Sequence, residues 1–170
     1  SSSMQAIDYY KQAIEVDPLY ALAYAGLADA YGTLGSWESS ALSPMETMPR
    51  AKAAAMKALE IDEHLAEAHT TLAYVSLHYD WNWSAAEDGF KSALELNPSY
   101  INAHHWLSHY YTAMGRVAES FAESRYIKEH DPLDLVSNVH MAWHHWLSRQ
   151  PDDALRQTRQ VLNLEPQSFW

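Results

Sequence analysis

Two pairs of histidines have the spacing of metal ligands. His105 and His109 are four residues apart, as are His140 and His144, and His145 follows directly. On a helix, an i,i+4 spacing puts both imidazoles on one face, which suits zinc or nickel. No glutamate follows the first histidine of either pair, so the His-Glu-x-x-His motif of metalloproteases is absent. Two nitrogens also leave a coordination sphere incomplete, so the sequence predicts no metal site and no cofactor. Cysteine is absent, which removes disulfides, thiol nucleophiles and thiolate metal sites. Acidic neighbours such as Asp152-Asp153 and Glu87-Asp88 read as first-turn charges that complement a helix dipole. No nucleophile–base pair and no phosphate-binding glycine loop is legible. The chain is expected not to be an enzyme.

The elements carrying these residues recur. One pattern, Ala-x3-large-x2-Ala-x4-Pro, reads Ala6, Tyr10, Ala13, Pro18 and again Ala86, Phe90, Ala93, Pro98. Weaker copies are Ser120, Ser124, Ile127, Pro132 and Ala154, Thr158, Val161, Pro166, and a further copy, Ala51, Ala55, Ala58, has Glu63 where proline is expected. Between them lies a second pattern, aromatic-x2-Leu-small-x2-aromatic. It reads Tyr24, Leu27, Ala28, Tyr31, then His104, Leu107, Ser108, Tyr111. Degenerate copies are His69, Leu72, Ala73, Ser76 and Asn138, Met141, Ala142, His145. Helix formers are abundant and no stretch alternates with period two, so an all-α chain is expected. The small residues let paired helices approach closely, and Tyr10 and Phe90 fill the space between them. His104 and His145 stand at aromatic positions and are expected in the core.

These alternating halves resemble the tetratricopeptide repeat, a helix–turn–helix unit of about 34 residues. The resemblance spans essentially the whole chain. It implies a right-handed superhelical solenoid of antiparallel helix pairs, here a single domain over residues 1–170. By this reading a half repeat covers residues 1–20, and repeats follow at 21–65, 66–100, 101–134 and 135–168, with 169–170 opening a truncated one. The repeat at 21–65 is long because of a turn-rich insertion around Trp37, which is either a tucked anchor or a contact residue. After it, Ser43-Pro44-Met45-Glu46 reads as a capping box with proline at the first helical position. Pro49 follows closely, and a kink or restart is expected there. Prolines 18, 98, 132 and 166 each close a repeat. Gly115 marks one internal turn, Tyr79-Asp80-Trp81-Asn82-Trp83 another, and Arg149-Gln150-Pro151-Asp152-Asp153 a third. Asp152 or Asp153 is placed to cap the following helix, and the turn tryptophans are expected to wedge between helices. The opening Ser1-Ser2-Ser3-Met4 and the closing Phe169-Trp170 read as cuts within a longer array.

A narrower resemblance rests on Ala21-Leu22-Ala23-Tyr24-Ala25-Gly26-Leu27-Ala28-Asp29-Ala30-Tyr31, Pro49-Arg50-Ala51-Lys52-Ala53-Ala54-Ala55 and Tyr79-Asp80-Trp81-Asn82-Trp83. These strings are similar to the repeat region of bacterial proteins that carry winged-helix, kinase or cyclase domains. That implies a sensor or adaptor segment of a larger signalling or regulatory protein. The Lys/Arg clamp that holds chaperone tails in some such repeats is missing, so that ligand class is not expected.

The family geometry puts the first helix of each repeat on a concave face. Counted that way, the ligand-facing residues are Asp29 in the first full repeat, then Glu67, Thr70, Tyr74 and His78 in the second. Asn102, His105 and His109 follow in the third, and Trp143 and Trp146 in the fourth. This gives an aromatic, histidine-rich groove with two carboxylates at one end. Such a face suits a peptide or partner domain with apolar anchors. The alternative for Trp143 and Trp146 is packing against a further repeat.

The net charge is −11 with ten histidines counted neutral. That argues against nucleic-acid binding by this segment and favours a neutral to basic partner. No run of about 18 apolar residues exists and no signal peptide is legible. The cytoplasm is therefore expected, or an extracytoplasmic site if the parent carries a transmembrane helix. The expected function is a protein–protein interaction scaffold. The alternative is self-association into a dimer or filament through the repeat ends.

Overall fold

The computed structural model describes residues 2–36 and 42–167. Trp37, and the residues from Ser168 to Trp170, lie outside them. All regular structure among the described residues is α-helical: α1 (Ser2–Val16), α2 (Ala21–Leu34), α3 (Pro44–Ile61), α4 (Ala66–His78), α5 (Trp83–Leu96), α6 (Ile101–Ala113), α7 (Val117–His130), α8 (Leu135–Leu147) and α9 (Pro151–Leu164). The chain is thus an all-α helical-repeat protein. None of the described helices is long and apolar enough to cross a membrane.

The chain divides into two compact units, residues 1–103 and 104–170. In the first, α2 packs on α1, α3 and α4, and α4 packs on α3 and α5. Contact between α2 and α4 brings the first helices of successive repeats together. In the second unit, α8 packs on α7 and α9.

The spaced small residues are where close packing requires them. Ala51, Ala55 and Ala58 on α3, and Ala86, Phe90 and Ala93 on α5, are fully buried. Gly89 shows how tight the α4–α5 contact is: a Cβ added there would stand 2.9 Å from the Cβ of Ala73. Ala6, Tyr10 and Ala13 on α1 are only half-buried. Ser120, Ser124 and Ile127 on α7, and Ala154 and Val161 on α9, are buried, whereas Thr158 is exposed and turns its hydroxyl to the Ala154 carbonyl, 2.9 Å away. His104 lies in the core as expected. Its Nδ1–H donates to Glu123 Oε2 at 2.6 Å, and its ring stacks on Tyr126. His145 is half-buried beside Phe121.

The start of α3 follows the sequence reading in part. Ser43 caps it, its Oγ accepting from the Met45 N–H at 3.2 Å, and Pro44 takes the first turn. Pro49 causes no restart: α3 runs on through it to Ile61. Its ring removes only the ladder bond to the carbonyl four residues back, which belongs to Met45 in the solvent-exposed first turn. The carboxylate expectations also need correction. Gln150 occupies the N-cap of α9 because Pro151 takes the first helical position, so Asp152 and Asp153 lie inside the first turn. There they meet the dipole, and Asp153 pairs with Arg156. Glu87 lies beyond the first turn of α5 and pairs with Lys91 at 2.8 Å instead.

The internal turns after α4, α6 and α8 share one device. Trp81, Gly115 and Arg149, each 34 residues after the last, all have positive φ, at 56°, 71° and 59°. Only Gly115 suits that region without strain. The turn carries Trp81 outward, leaving it 67% exposed against Trp83 and not wedged between helices. No atom stands within 4 Å of where a Cβ on Gly115 would be. Gly115→Ala is therefore expected to destabilise through backbone strain alone, by about 1–2 kcal/mol, read as a lower urea midpoint at unchanged slope.

Candidate binding face and histidine cluster

In the first unit the residues counted onto the ligand-facing side divide between surface and interior. Asp29 on α2 is solvent-accessible, yet the protein flanking it displaces enough water to raise its carboxyl above the ordinary value. Glu67 on α4 is half-buried and Asn102 on α6 is exposed. Tyr100, which the sequence count missed, joins these three. Burial pushes its phenol up to about 12; the Asn102 amide, donating to its hydroxyl at 3.5 Å, opposes that, and the charges of Asp29 and Glu67 reinforce it. An acidic, hydroxyl-bearing patch results.

Thr70 and Tyr74 lie inside the packing. Thr70 donates its hydroxyl to the Ala66 carbonyl at 2.8 Å. Tyr74 is 6% exposed, with its ring 4.3 Å from that of His78. His78 is half-buried; burial lowers its pKa, against the raising effect of its Nδ1–H bond to the Tyr74 carbonyl at 3.1 Å. The count treats each helix as having one open face. The contact between α2 and α4 closes part of it, since Tyr74 lies 3.7 Å from a Cβ built on Gly32.

In the second unit, α6 and α8 bring both histidine pairs together. His140 Nδ1 stands 3.0 Å from His105 Nε2 and 3.0 Å from His109 Nε2. One ring atom from each of these three histidines falls within a 4.8 Å group. His144 is one turn beyond His140, its ring centre 4.7 Å from that of His109. It is 1% exposed, and its Nδ1 lies 3.4 Å from the hydroxyls of both Ser120 and Ser124. Its Nε2 is buried with no hydrogen-bond partner. The Nδ1 of His105 meets Ser137 Oγ at 3.2 Å.

Burial disfavours the charged form of two of these imidazoles, His105 and His144. It lowers His105 to about 3, helped by the neighbouring His140 and His144 and opposed by Asp134. It lowers His144 to about 4, with His140 and His145 adding to the effect. Three imidazoles with converging nitrogens are chemically a ligand set for a borderline metal. The sequence supplied half of it on each helix, and the missing signal was that the second pair repeats the first one repeat later.

Two tryptophans border the cluster. Trp143 lies 5.8 Å from His109 and 6.2 Å from His140, ring to ring, and is 41% exposed. Trp146 is 64% exposed. With Val136 and Leu147, also exposed, they leave an apolar surface on α8.

No protein-family model matches the chain. Solved structures with similar folds include TTC0263, a thermophilic tetratricopeptide-repeat protein of Thermus thermophilus, with TM-score 0.78 and 15% identity over 95% of this chain and 82% of that one. MamA from Desulfovibrio magneticus RS-1 matches with TM-score 0.67 and 15% identity, covering 100% and 89%. YrrB, described as a tetratricopeptide-repeat protein with an unusual peptide-binding site, matches with TM-score 0.63 and 19% identity, covering 98% and 79%. The chain has the tetratricopeptide-repeat fold.

Proposed function

We propose that the chain is a protein-interaction module that holds a peptide or partner domain against the first helices of its repeats. The observation that carries this reading is the pair of exposed tryptophans on α8. Exposed tryptophan at a helical surface offers large contact area at low entropy cost. The fold supports it too, since YrrB, which shares it, is described with a peptide-binding site. The net charge of −11, with Asp29 and Glu67 in the first unit, favours a neutral to basic partner with apolar anchors. The narrower sequence resemblance adds a setting within a larger bacterial signalling or regulatory protein. Catalysis forms no part of this reading.

The test is selection of binding peptides from a random library, followed by affinity measurement on the chain and on a Trp143→Ala/Trp146→Ala variant. Selected peptides are expected to lose about tenfold or more in affinity while the melting temperature changes little. Unchanged affinity together with a large fall in melting temperature would make the tryptophans packing residues and overturn the reading. Self-association is the second reading, favoured by Leu155 and Leu162, seven apart on α9 and both exposed. A mass that rises with concentration in the same samples would favour it.

A further inference from the structure

We propose that His105, His109 and His140 form a three-imidazole binding site for a single borderline divalent metal ion, zinc or a close analogue such as cobalt(II) or nickel(II). The argument starts from a conflict in the histidine network itself. His140 Nδ1 faces two ring nitrogens at 3.0 Å. A ring nitrogen carries either one hydrogen or one lone pair, so it serves only one such neighbour fully. A cation between the three nitrogens resolves this, because each then directs a lone pair at the metal. Zinc–nitrogen bonds of about 2.0–2.1 Å in a tetrahedron put ligand nitrogens roughly 3.3 Å apart. Separations of 3.0 Å need only a small outward rotation of the rings.

The buried Nε2 of His144, without a hydrogen-bond partner, is a separate observation that points to a ligand. A buried polar nitrogen is costly to leave unsatisfied. The group within 4.8 Å holds His105, His109 and His140, so the fourth corner is left to water or another small donor beside His144. The hydroxyls around the cluster have the arrangement that ligating histidines use, in which the other ring N–H is held by an outer oxygen. His105 Nδ1–H donates to Ser137, leaving Nε2 as the ligand atom. His144, one turn beyond His140, has its Nδ1 3.4 Å from the hydroxyls of Ser120 and Ser124. The set is all nitrogen, with no carboxylate and no thiolate, which selects borderline ions over calcium or magnesium. Bound metal would tie α6 to α8 and, through His109 and His140, lie against Trp143.

The test is isothermal titration of zinc into the full 170-residue chain, free of any affinity tag and stripped with a chelator. One saturable site is expected, and cobalt(II) in its place should give the intense visible absorption of a four-coordinate ion. His140→Ala should weaken binding by at least about 100-fold, more than loss of an outer-shell partner does. His64→Ala, whose side chain is exposed at 73% outside the cluster, should bind as the parent does. Circular dichroism shows whether the variant folds; should His140→Ala fail to, His109→Asn, at a half-buried position, gives the same readout. No saturable heat in the parent, or equal binding by His64→Ala and a folded cluster variant, overturns the proposal.

Discussion

Phe90→Ala is expected to cost about 3–5 kcal/mol, a large share of the roughly 5–15 kcal/mol that holds a typical domain folded. The ring is completely buried on α5, between Ala86 and Ala93 on the same face, and both of those are completely buried too. Neighbours that are already methyl groups on helices in close contact cannot move inward to fill the cavity, so the loss falls toward the upper end of the range. In a stack of repeats, stability is a sum of unit and interface contributions. The damage should therefore concentrate in residues 1–103. Native-state hydrogen exchange should show it as lost protection in α4 and α5. Leu96→Ala, on the same helix but 38% exposed, serves as the control and should cost well under half as much. Equal effects from the two would mean that α5 is not seated as described.

The second large effect is acid destabilisation of the metal-free chain. In the folded state His105 is held to about 3 and His144 to about 4, both below the ordinary value of about 6.5. Below pH ~6.5 the unfolded chain therefore binds protons that the folded chain refuses, and stability rises with pH throughout that window. The contribution is complete above pH ~6.5 and is lost as pH falls toward 4 and then 3. Each fully refused proton is worth about 1.4 kcal/mol per pH unit. Because the imidazoles interact, the loss belongs to the cluster and not to either ring alone. Asp134 favours a charged His105 but is outweighed by burial and His140. In chelator, thermal unfolding of residues 104–170 should shift down by many degrees between pH 7 and pH 5. A melting temperature that stays flat across that interval would show that the histidines titrate freely in solvent.

Much of the architecture was legible because it is local. Alanines seven apart, a large residue between them and a proline beyond place a helix and its end with no knowledge of what lies alongside. α2, α4, α6 and α8 begin at Ala21, Ala66, Ile101 and Leu135. Local reading went wrong where a neighbouring residue changed the geometry. Pro151 displaced the cap of α9 onto Gln150, and a positive φ carried Trp81 to the surface.

The binding face was legible only in part. Counting positions along a helix names the side that can face a ligand, but not how much of it the next helix covers. Asp29, Asn102, Trp143 and Trp146 remain exposed, whereas Thr70, Tyr74 and His105 are buried. The histidines show the same division most clearly. The sequence by itself determined that two i,i+4 pairs exist, each on one helical face, because that follows from 3.6 residues per turn. It could not determine that both faces meet, since two nitrogens per helix are an incomplete ligand set whichever way each helix is turned. Only the packing of α6 beside α8 brought His140 within 3.0 Å of both His105 and His109. The recurrence of the pair one repeat later puts both pairs at equivalent positions, but the distances between side chains a whole repeat apart are set by helix stacking.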